Sequence, residues 1–312
     1  PLYEMGEIIE HNCGLTLTHT LHDAYSFIKS LQHRGRDATG IAAIGDNRID
    51  VIKWAGGVDK FDVDDLHLIF PSDSYNYHTY LGHIRYATRG RKDQVLEDAH
   101  PHVIGGAIYD RGSHILIEDC DMVAVHNGEV DRGYFSGLED IALKTGCDTE
   151  QLLLLVEKIG EKSVLQNVPG SYTLAIATKT KRDVIVMRDQ KGIKPGSLGW
   201  KDGKYCVASE DIAFKKNGAD FIEDIEPGYI YSLQPDGGFT KEKVIESAPQ
   251  NCFFEWNYIS HVNSSLGGIL VRTVRESLGE ELGREFHPPD ADYVTFSPRC
   301  PESAARSYSR KT

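Results

Sequence analysis

Between residues 13 and 244 the chain is a succession of strand-length segments with helical stretches set among them, and that pattern leaves few ways to bury the apolar faces. From Cys13 onward Leu15 and Leu17 alternate with Thr16 and Thr18, the period of a half-buried strand. Residues 40–44 and 49–54 read as two strands joined by the turn residues Gly45, Asp46 and Asn47. Further strands are expected over 80–86, 114–117, 122–126, 172–178 and 183–188. Lys201-Asp202-Gly203-Lys204 is a strong hairpin turn, and strands over 221–225, 228–233 and 239–244 follow it. Ala24, Phe27, Ile28 and Leu31 recur at helical spacing over 22–31, and helices are also expected over 60–70, 132–145 and 148–161. The last opens with Asp148 three residues before Gln151, a capping-box pattern. Many strands with helices to cover them predict an α+β domain of stacked sheets and helices.

Near Ser247-Ala248-Pro249 the texture changes. Residues 269–286 read as one long helix with Ile269, Leu270, Val274, Leu278 and Leu282 on one stripe, and 292–297 as a strand. One helix and one strand cannot bury a core alone, so the stripe is expected to invite a partner. A length of 312 residues suits one large domain or two ordinary ones. Residues 1–12 read as a short acidic leader, without the basic and apolar regions of a secretory signal.

Composition excludes several classes. Lys and Arg number 34 against 47 Asp and Glu, a net charge of −13, so the electrostatic footprint of a nucleic-acid binder is missing. No apolar stretch is long enough to span a bilayer, and no membrane partner is expected. Cys13, Cys120, Cys147, Cys206, Cys252 and Cys300 are scattered without a C-x-x-C pair, which favours a reducing, cytoplasmic setting over a disulfide framework. Asp59, Asp62, Asp64 and Asp65 read as a solvated helix face. A calcium loop counted from Asp59 would put Asp64 where glycine is needed and Phe70 where glutamate is needed. His100-Pro101-His102, without further ligands, reads as ordinary loop histidines, and no metal site is expected.

Five motifs stand in order along the first half. They are Cys13-Gly14, the segment Leu31-Gln32-His33-Arg34-Gly35-Arg36-Asp37-Ala38-Thr39-Gly40-Ile41, then Gly82-His83-Ile84-Arg85-Tyr86-Ala87-Thr88, His126-Asn127-Gly128-Glu129 and Asp148-Thr149-Glu150. Singly each is bland. A cysteine often just packs, Asn-Gly is a common hairpin turn, and Asp148 alone is a helix N-cap. Together they resemble the class II glutamine amidotransferases, the N-terminal-nucleophile type, and most closely the amidophosphoribosyltransferase branch. Arg188-Asp189, Gly192-Ile193-Lys194-Pro195, Ala208-Ser209-Glu210, Pro227-Gly228 and Cys252-Phe253-Phe254-Glu255 with Tyr258 extend the resemblance over essentially the whole chain. It has departures. Leu15-Thr16-Leu17 stands where the family has Ile-x-Gly. Ile259-Ser260-His261-Val262-Asn263 follows Tyr258 where many members continue Phe-Ala-Arg-Pro-Asp. Pro298-Arg299-Cys300-Pro301 replaces a later Pro-Asp-Ser.

The resemblance implies a four-layer αββα sandwich followed by the beginning of an α/β phosphoribosyltransferase domain. The division is then a leader or propeptide over 1–12, a glutaminase domain over 13–247 and an incomplete phosphoribosyltransferase-like start over 248–312. It also implies glutamine hydrolysis to glutamate and ammonia through a Cys13 thioester, the glutaminase part of the first step of purine biosynthesis. By similarity Cys13 is the nucleophile, and Asn127 with the backbone N–H of Gly128 forms the oxyanion hole. Arg85 holds the glutamine α-carboxylate and Asp148 its α-ammonium, a division that suits a guanidinium fork and a carboxylate. Thr88 is a further substrate hydrogen-bonder, and Arg34 and Gly35 belong to the loop that frames the nucleophile. The base is the α-amine of Cys13 itself. Its ordinary pKa of about 7.7–8.0 lies close to the roughly 8.5 of a thiol. In the sequence as written Cys13 is internal, so cleavage after Asn12 is expected to free that amine. No cofactor is expected for the glutaminase reaction, and no iron–sulfur cluster, because the ligands downstream of Cys252 are absent. Mg²⁺ and phosphoribosyl pyrophosphate enter only with the rest of the transferase domain, so this stretch alone is expected to show glutaminase activity only. A homo-oligomer is expected. Two alternatives stay open: an N-terminal-nucleophile acylase for another amide, and a non-catalytic or regulatory paralogue whose nucleophile is never freed.

Overall fold

The computed structural model describes residues 13–71, 75–86, 95–130, 143–286, 288, 291–297 and 300–312. The alternation that begins at Leu15 is that of an inner strand, β1 (Gly14–Thr18). Its neighbours, both antiparallel, are β4 (Tyr77–Arg85) and β10 (Lys204–Ala208). Beyond β4 lie β2 (Ala38–Gly45) and β3 (Arg48–Ala55); beyond β10 lie β9 (Ser197–Lys201) and β11 (Asp220–Asp224). The β9–β10 turn has Asp202 and Gly203 at φ 51° and 79°, the left-handed pair that a two-residue hairpin demands.

A single long strand carries the sheet into its second half. β6 (His114–Val130) pairs with β3 through His114–Ile117, and from Met122 to Val130 with β7 (Gly170–Thr178). β5 (His102–Asp110) runs along it, and β8 (Val184–Arg188), β12 (Tyr229–Leu233) and β13 (Phe239–Lys243) complete the order. The two strands expected over 114–117 and 122–126 are therefore one. Its interruption is local: Asp119 takes φ 59°, and the pairing with β5 shifts register between Ile104 and Gly105.

Three apolar clusters define the layers. Between the sheet halves, Leu15, Leu17, Val51 and Leu81 face Val123, Val125, Ala175 and Val186. On one outer face α1 (Leu21–Ser30), α2 (Val63–Ile69) and α5 (Ile212–Asn217) bring Phe27, Ile28, Leu66 and Phe214 onto Ile41, Ile52 and Trp54. On the other, α3 (Asp148–Ile159) and α4 (Glu161–Asn167) bring Leu152, Val156 and Val164 onto Ala124, Leu174 and Ile176. The order is helix, sheet, sheet, helix, so both faces of each sheet half are buried. Each fully buried side chain of this size contributes about 1.5–3 kcal/mol.

Several expectations need correction. Asp148 is the first residue of α3 and Cys147 its N-cap, with no side-chain capping bond, so the Asp148–Gln151 box does not form. The Asp148 side chain instead accepts from Val130 N at 3.1 Å, tying the helix to the end of β6. Within 60–70, α2 is preceded by a 3-10 turn (Val58–Lys60) and opens on a true capping box between Asp62 and Asp65, so two of those acids cap rather than solvate a face. The helix expected over 132–145 falls largely outside the described residues, and 143–145 are not helical. The leader over 1–12 also lies outside the described residues.

The last segment folds differently from its pattern. After a π-helical turn (Glu255–Ile259) and a small hairpin of β14 (Ser265–Leu266) and β15 (Ile269–Leu270), α6 (Val271–Glu285) runs against a C-terminal helix, α7 (Glu302–Ser309). Residues 292–297 form no strand. The buried row of α6 is Val271, Arg275, Gly279 and Gly283, not the apolar stripe. A Cβ on Gly279 would lie 2.0 Å from the Ala304 carbonyl, so the glycines mark the face on which α7 sits. Of the stripe, Leu270, Val274 and Leu278 are half-buried, while Ile269 is 54% and Leu282 53% exposed. No helix among the described residues is long and apolar enough to cross a membrane.

Candidate active site

Strand register assembles the first half of the site. Gly14 stands opposite Ile84, so Cys13 comes level with Arg85, the last residue of β4. Ala38 of β2 is Arg85's other neighbour. The loop between α1 and β2 folds over this strand end. Gly35 lies so close that a Cβ there would come 2.5 Å from the Arg85 carbonyl carbon, and Asp37 N donates to Arg85 O at 3.1 Å. Cys13 is buried. Burial pushes its thiol up, while the Tyr86 backbone and the charges of Arg85, Lys194 and Arg34 pull the other way.

Arg34, fully buried, donates from Nε to the Cys13 carbonyl at 2.9 Å. Its two amino groups reach Glu210 at 2.6 Å and Glu255 at 3.0 Å, both carboxylates being buried as well. Glu210 also accepts from His33 Nε2 at 2.9 Å, His261 N at 2.8 Å and the Ser264 hydroxyl. Burial alone would raise the Glu210 carboxyl, but His33 and Arg34 outweigh it and hold it well below the usual carboxylate range. The loop beside Cys13 is thereby linked by charge to residues 255–264.

β6 and α3 supply the other half. Asn127 and Gly128 sit inside β6, opposite Thr173 and Tyr172, and are not a hairpin turn. Gly128 takes φ 148°, and a Cβ on it would meet the Ser171 carbonyl at 2.1 Å, so only glycine fits. The Asn127 amide is fully buried, yet neither its oxygen nor its nitrogen has a hydrogen-bond partner among the described residues. Buried polar groups are nearly always paired, so an unpaired amide marks a place where something else binds.

Arg85 and Asp148 are both buried and both already engaged. Arg85 lies 3.4 Å from Asp98, which also accepts from Gly146 N at 3.1 Å, and Asp148 holds Val130 N. Thr149 Oγ1 is shared by His126 Nδ1 at 2.8 Å and His100 Nε2 at 2.9 Å. His83 stacks on His100 with centroids 4.0 Å apart, and His102 meets His100 edge-on at 4.6 Å. Burial lowers His83 to about 3 and keeps His100, His102 and His126 below the ordinary imidazole value, so the cluster is neutral at physiological pH. His100 and His102 are thus buried beside the site, and His102 is the first residue of β5 rather than a loop residue. Burial also pushes the Cys147 thiol up to about 12, with Asp148 adding to the effect.

The structure brings Cys13, Arg34, Gly35 and Arg85 together at one strand end, and Asn127, Gly128 and Asp148 together through β6 and α3. The charge of Lys194 acts to lower both the Cys13 thiol and the His126 imidazole. Thr88 lies outside the described residues. Sequence reasoning gave no role to Lys194, Glu210, Glu255 or Asp98. The first three stand in stretches that carried the family resemblance, the one signal available for them.

Two sheets packed between helix layers, with a cysteine opening the first inner strand, define the class: this chain is a class II glutamine amidotransferase by fold, and the glutamine amidotransferase domain profile matches residues 115–233. Within that class it belongs to the amidophosphoribosyltransferase family. It is 29% identical to the amidophosphoribosyltransferase of Rhizobium etli over 98% of this chain and 62% of that protein. It is 31% identical to that of Archaeoglobus fulgidus over 93% of this chain and 61% of that protein. Among solved structures it superposes on the glutamine phosphoribosylpyrophosphate amidotransferase of Bacillus subtilis, complexed with ADP and GMP, with a TM-score of 0.77 at 25% identity, covering 96% of this chain and 64% of that one. The chain spans about three fifths of the length of the curated relatives it matches. These relatives favour neither alternative, the acylase for another amide or the non-catalytic paralogue.

Proposed function

We propose that this chain hydrolyses glutamine to glutamate and ammonia, as the glutaminase part of an amidophosphoribosyltransferase, with residues 13–247 as the glutaminase domain and 248–312 as the start of the transferase. The observation that supports this most is the buried, unpaired Asn127 amide beside Gly128, on the strand whose last residue, Val130, donates to Asp148. Arg85 takes the glutamine α-carboxylate, sharing its fork with Asp98, and Asp148 takes the α-ammonium. The Cys13 sulfur attacks the carboxamide carbon as its proton passes to the Cys13 α-amine. Asn127 Nδ2 and the Gly128 N–H donate to the developing oxyanion, a term worth about 2.7–4 kcal/mol per donor. The amine then protonates departing ammonia, and water resolves the thioester. This needs a free amine, hence removal of residues 1–12. Ammonia leaves toward a cavity of about 430 Å³ lined by Arg34, Tyr86, Tyr258, His261, Arg272 and Arg275. In the complete enzyme it meets phosphoribosyl pyrophosphate with Mg²⁺, in the cytoplasm and in a homo-oligomer.

The test is steady-state glutaminase kinetics on protein that begins at Cys13. Arg85→Ala and Asp148→Ala each leave a charged substrate group unpaired, a loss of about 2–5 kcal/mol that should appear in KM. Cys13→Ala should abolish turnover while glutamine still binds by calorimetry. An unchanged KM in either charge variant refutes its assigned role.

A further inference from the structure

We propose that His100, His102 and Cys147 form a binding site for one divalent transition-metal ion of the zinc class, set behind the glutamine site. Each of the three offers one ligand atom, and these atoms all lie within 4.8 Å of one another. Both histidines are buried, and His100 Nδ1 and His102 Nε2 have no hydrogen-bond partner among the described residues. Two orphaned imidazole nitrogens in one buried cluster need an explanation, and a shared metal ion supplies it. The other His100 nitrogen is fixed by Thr149 Oγ1 at 2.9 Å, the kind of outer hydrogen bond that orients a metal-binding imidazole. Lys53 Nζ donates to the carbonyls of Glu97 at 3.3 Å and Ala99 at 2.9 Å, holding in place the turn that presents His100.

The donor set selects the metal. Two imidazoles and a thiolate suit Zn²⁺ or Co²⁺, whereas Ca²⁺ and Mg²⁺ require oxygen ligands. Tetrahedral bonds of about 2.0–2.3 Å place neighbouring ligand atoms roughly 3.4–3.6 Å apart, so a contraction of about 1 Å closes the three around an ion. Water or a small anion fills the fourth position. Cys147 is the N-cap of α3 and adjoins Asp148, and Thr149 bonds both His100 and His126. An ion here would clamp the segment before β5 to the helix start that carries Asp148. The proposal stands on this cluster and does not depend on the glutaminase reading.

Co²⁺ is the probe. Titrated into the protein, it should bind at one equivalent, with the strong visible bands of a tetrahedral site and a near-ultraviolet thiolate-to-cobalt charge-transfer band, both displaced by Zn²⁺. Cys147→Ser should abolish the charge-transfer band and His102→Gln the tetrahedral bands, while Cys13→Ala keeps both. Circular dichroism checks that each variant folds. If Cys147→Ser does not, His102→Gln and a Zn²⁺-induced rise in wild-type Tm decide the matter. The octahedral spectrum of free Co²⁺, or a charge-transfer band that survives Cys147→Ser, overturns the site.

Discussion

Arg34 is where Cys13 and the C-terminal segment meet. Its guanidinium, Glu210 and Glu255 are all out of water, and such a set holds only while every member is paired. Removing one partner from a buried pair typically costs about 3–5 kcal/mol, because a charge is left alone. Glu210→Ala should therefore lower unfolding stability by about that amount in denaturant titration, well beyond the effect of removing an exposed partner such as Glu246. The pH dependence has a definite sign. The folded-state Glu210 carboxyl lies below its unfolded value of about 4.3, so its contribution is complete above that value and is lost as pH falls toward the folded one. The stability gap between wild type and Glu210→Gln should be flat above about pH 5 and narrow below about pH 4. Cys13-Gly14, Arg85, Asn127-Gly128 and Asp148 stand in motifs that the sequence displays directly, and the structure sets them at one strand end and along β6 and α3. Glu210, Glu255, Lys194 and Asp98 were not legible in this way, because their meaning lies in partners that only folding brings near.

Strands were legible, although both their faces are buried, where small polar residues such as Thr16 and Thr18 keep the alternation visible or turn residues mark a hairpin. The period of β1, the β2–β3 pair and the β9–β10 turn could be read directly. β6 could not be read as one strand, because Asp119 interrupts the alternation without ending the strand. α6 misled for a different reason. Its glycines are buried while Val274 and Leu278 are half-buried and Leu282 exposed, since close helix contact selects for small residues and hydrophobic periodicity does not register that. α7, with its run of Ser, Ala and Arg, gave no stripe to follow. The glycine contact can be tested. Gly279→Val places atoms where the Ala304 carbonyl lies, and overpacking of this kind costs about 1–3 kcal/mol. Limited trypsin digestion should then cut at Arg306 or Arg310 faster than in wild type, while the sandwich stays intact by circular dichroism. Unchanged cutting would mean that α7 is not held through that face.

At the scale of the whole molecule, α6 leaves Leu282 and its neighbour Phe286 exposed on a face that nothing among the described residues covers. Exposed apolar side chains at a helix end offer a seat for a second copy. Sedimentation velocity should show a concentration-dependent oligomer, weakened by Leu282→Glu; a monomer at all concentrations would count against the expected homo-oligomer. The two sheet halves and their helix layers were foreseen as a sandwich, but not that one strand would run through both. A last consequence follows from the seat of β1. Its neighbour β10 begins almost two hundred residues downstream, with Thr16 opposite Ala208. At a synthesis rate of about 5–20 residues per second, the first strand waits roughly 10–40 s for its second partner. Until then Cys13 sits at the end of an open sheet edge, and the ribosome, not the folded domain, sets the earliest moment at which the sheet can close around that cysteine.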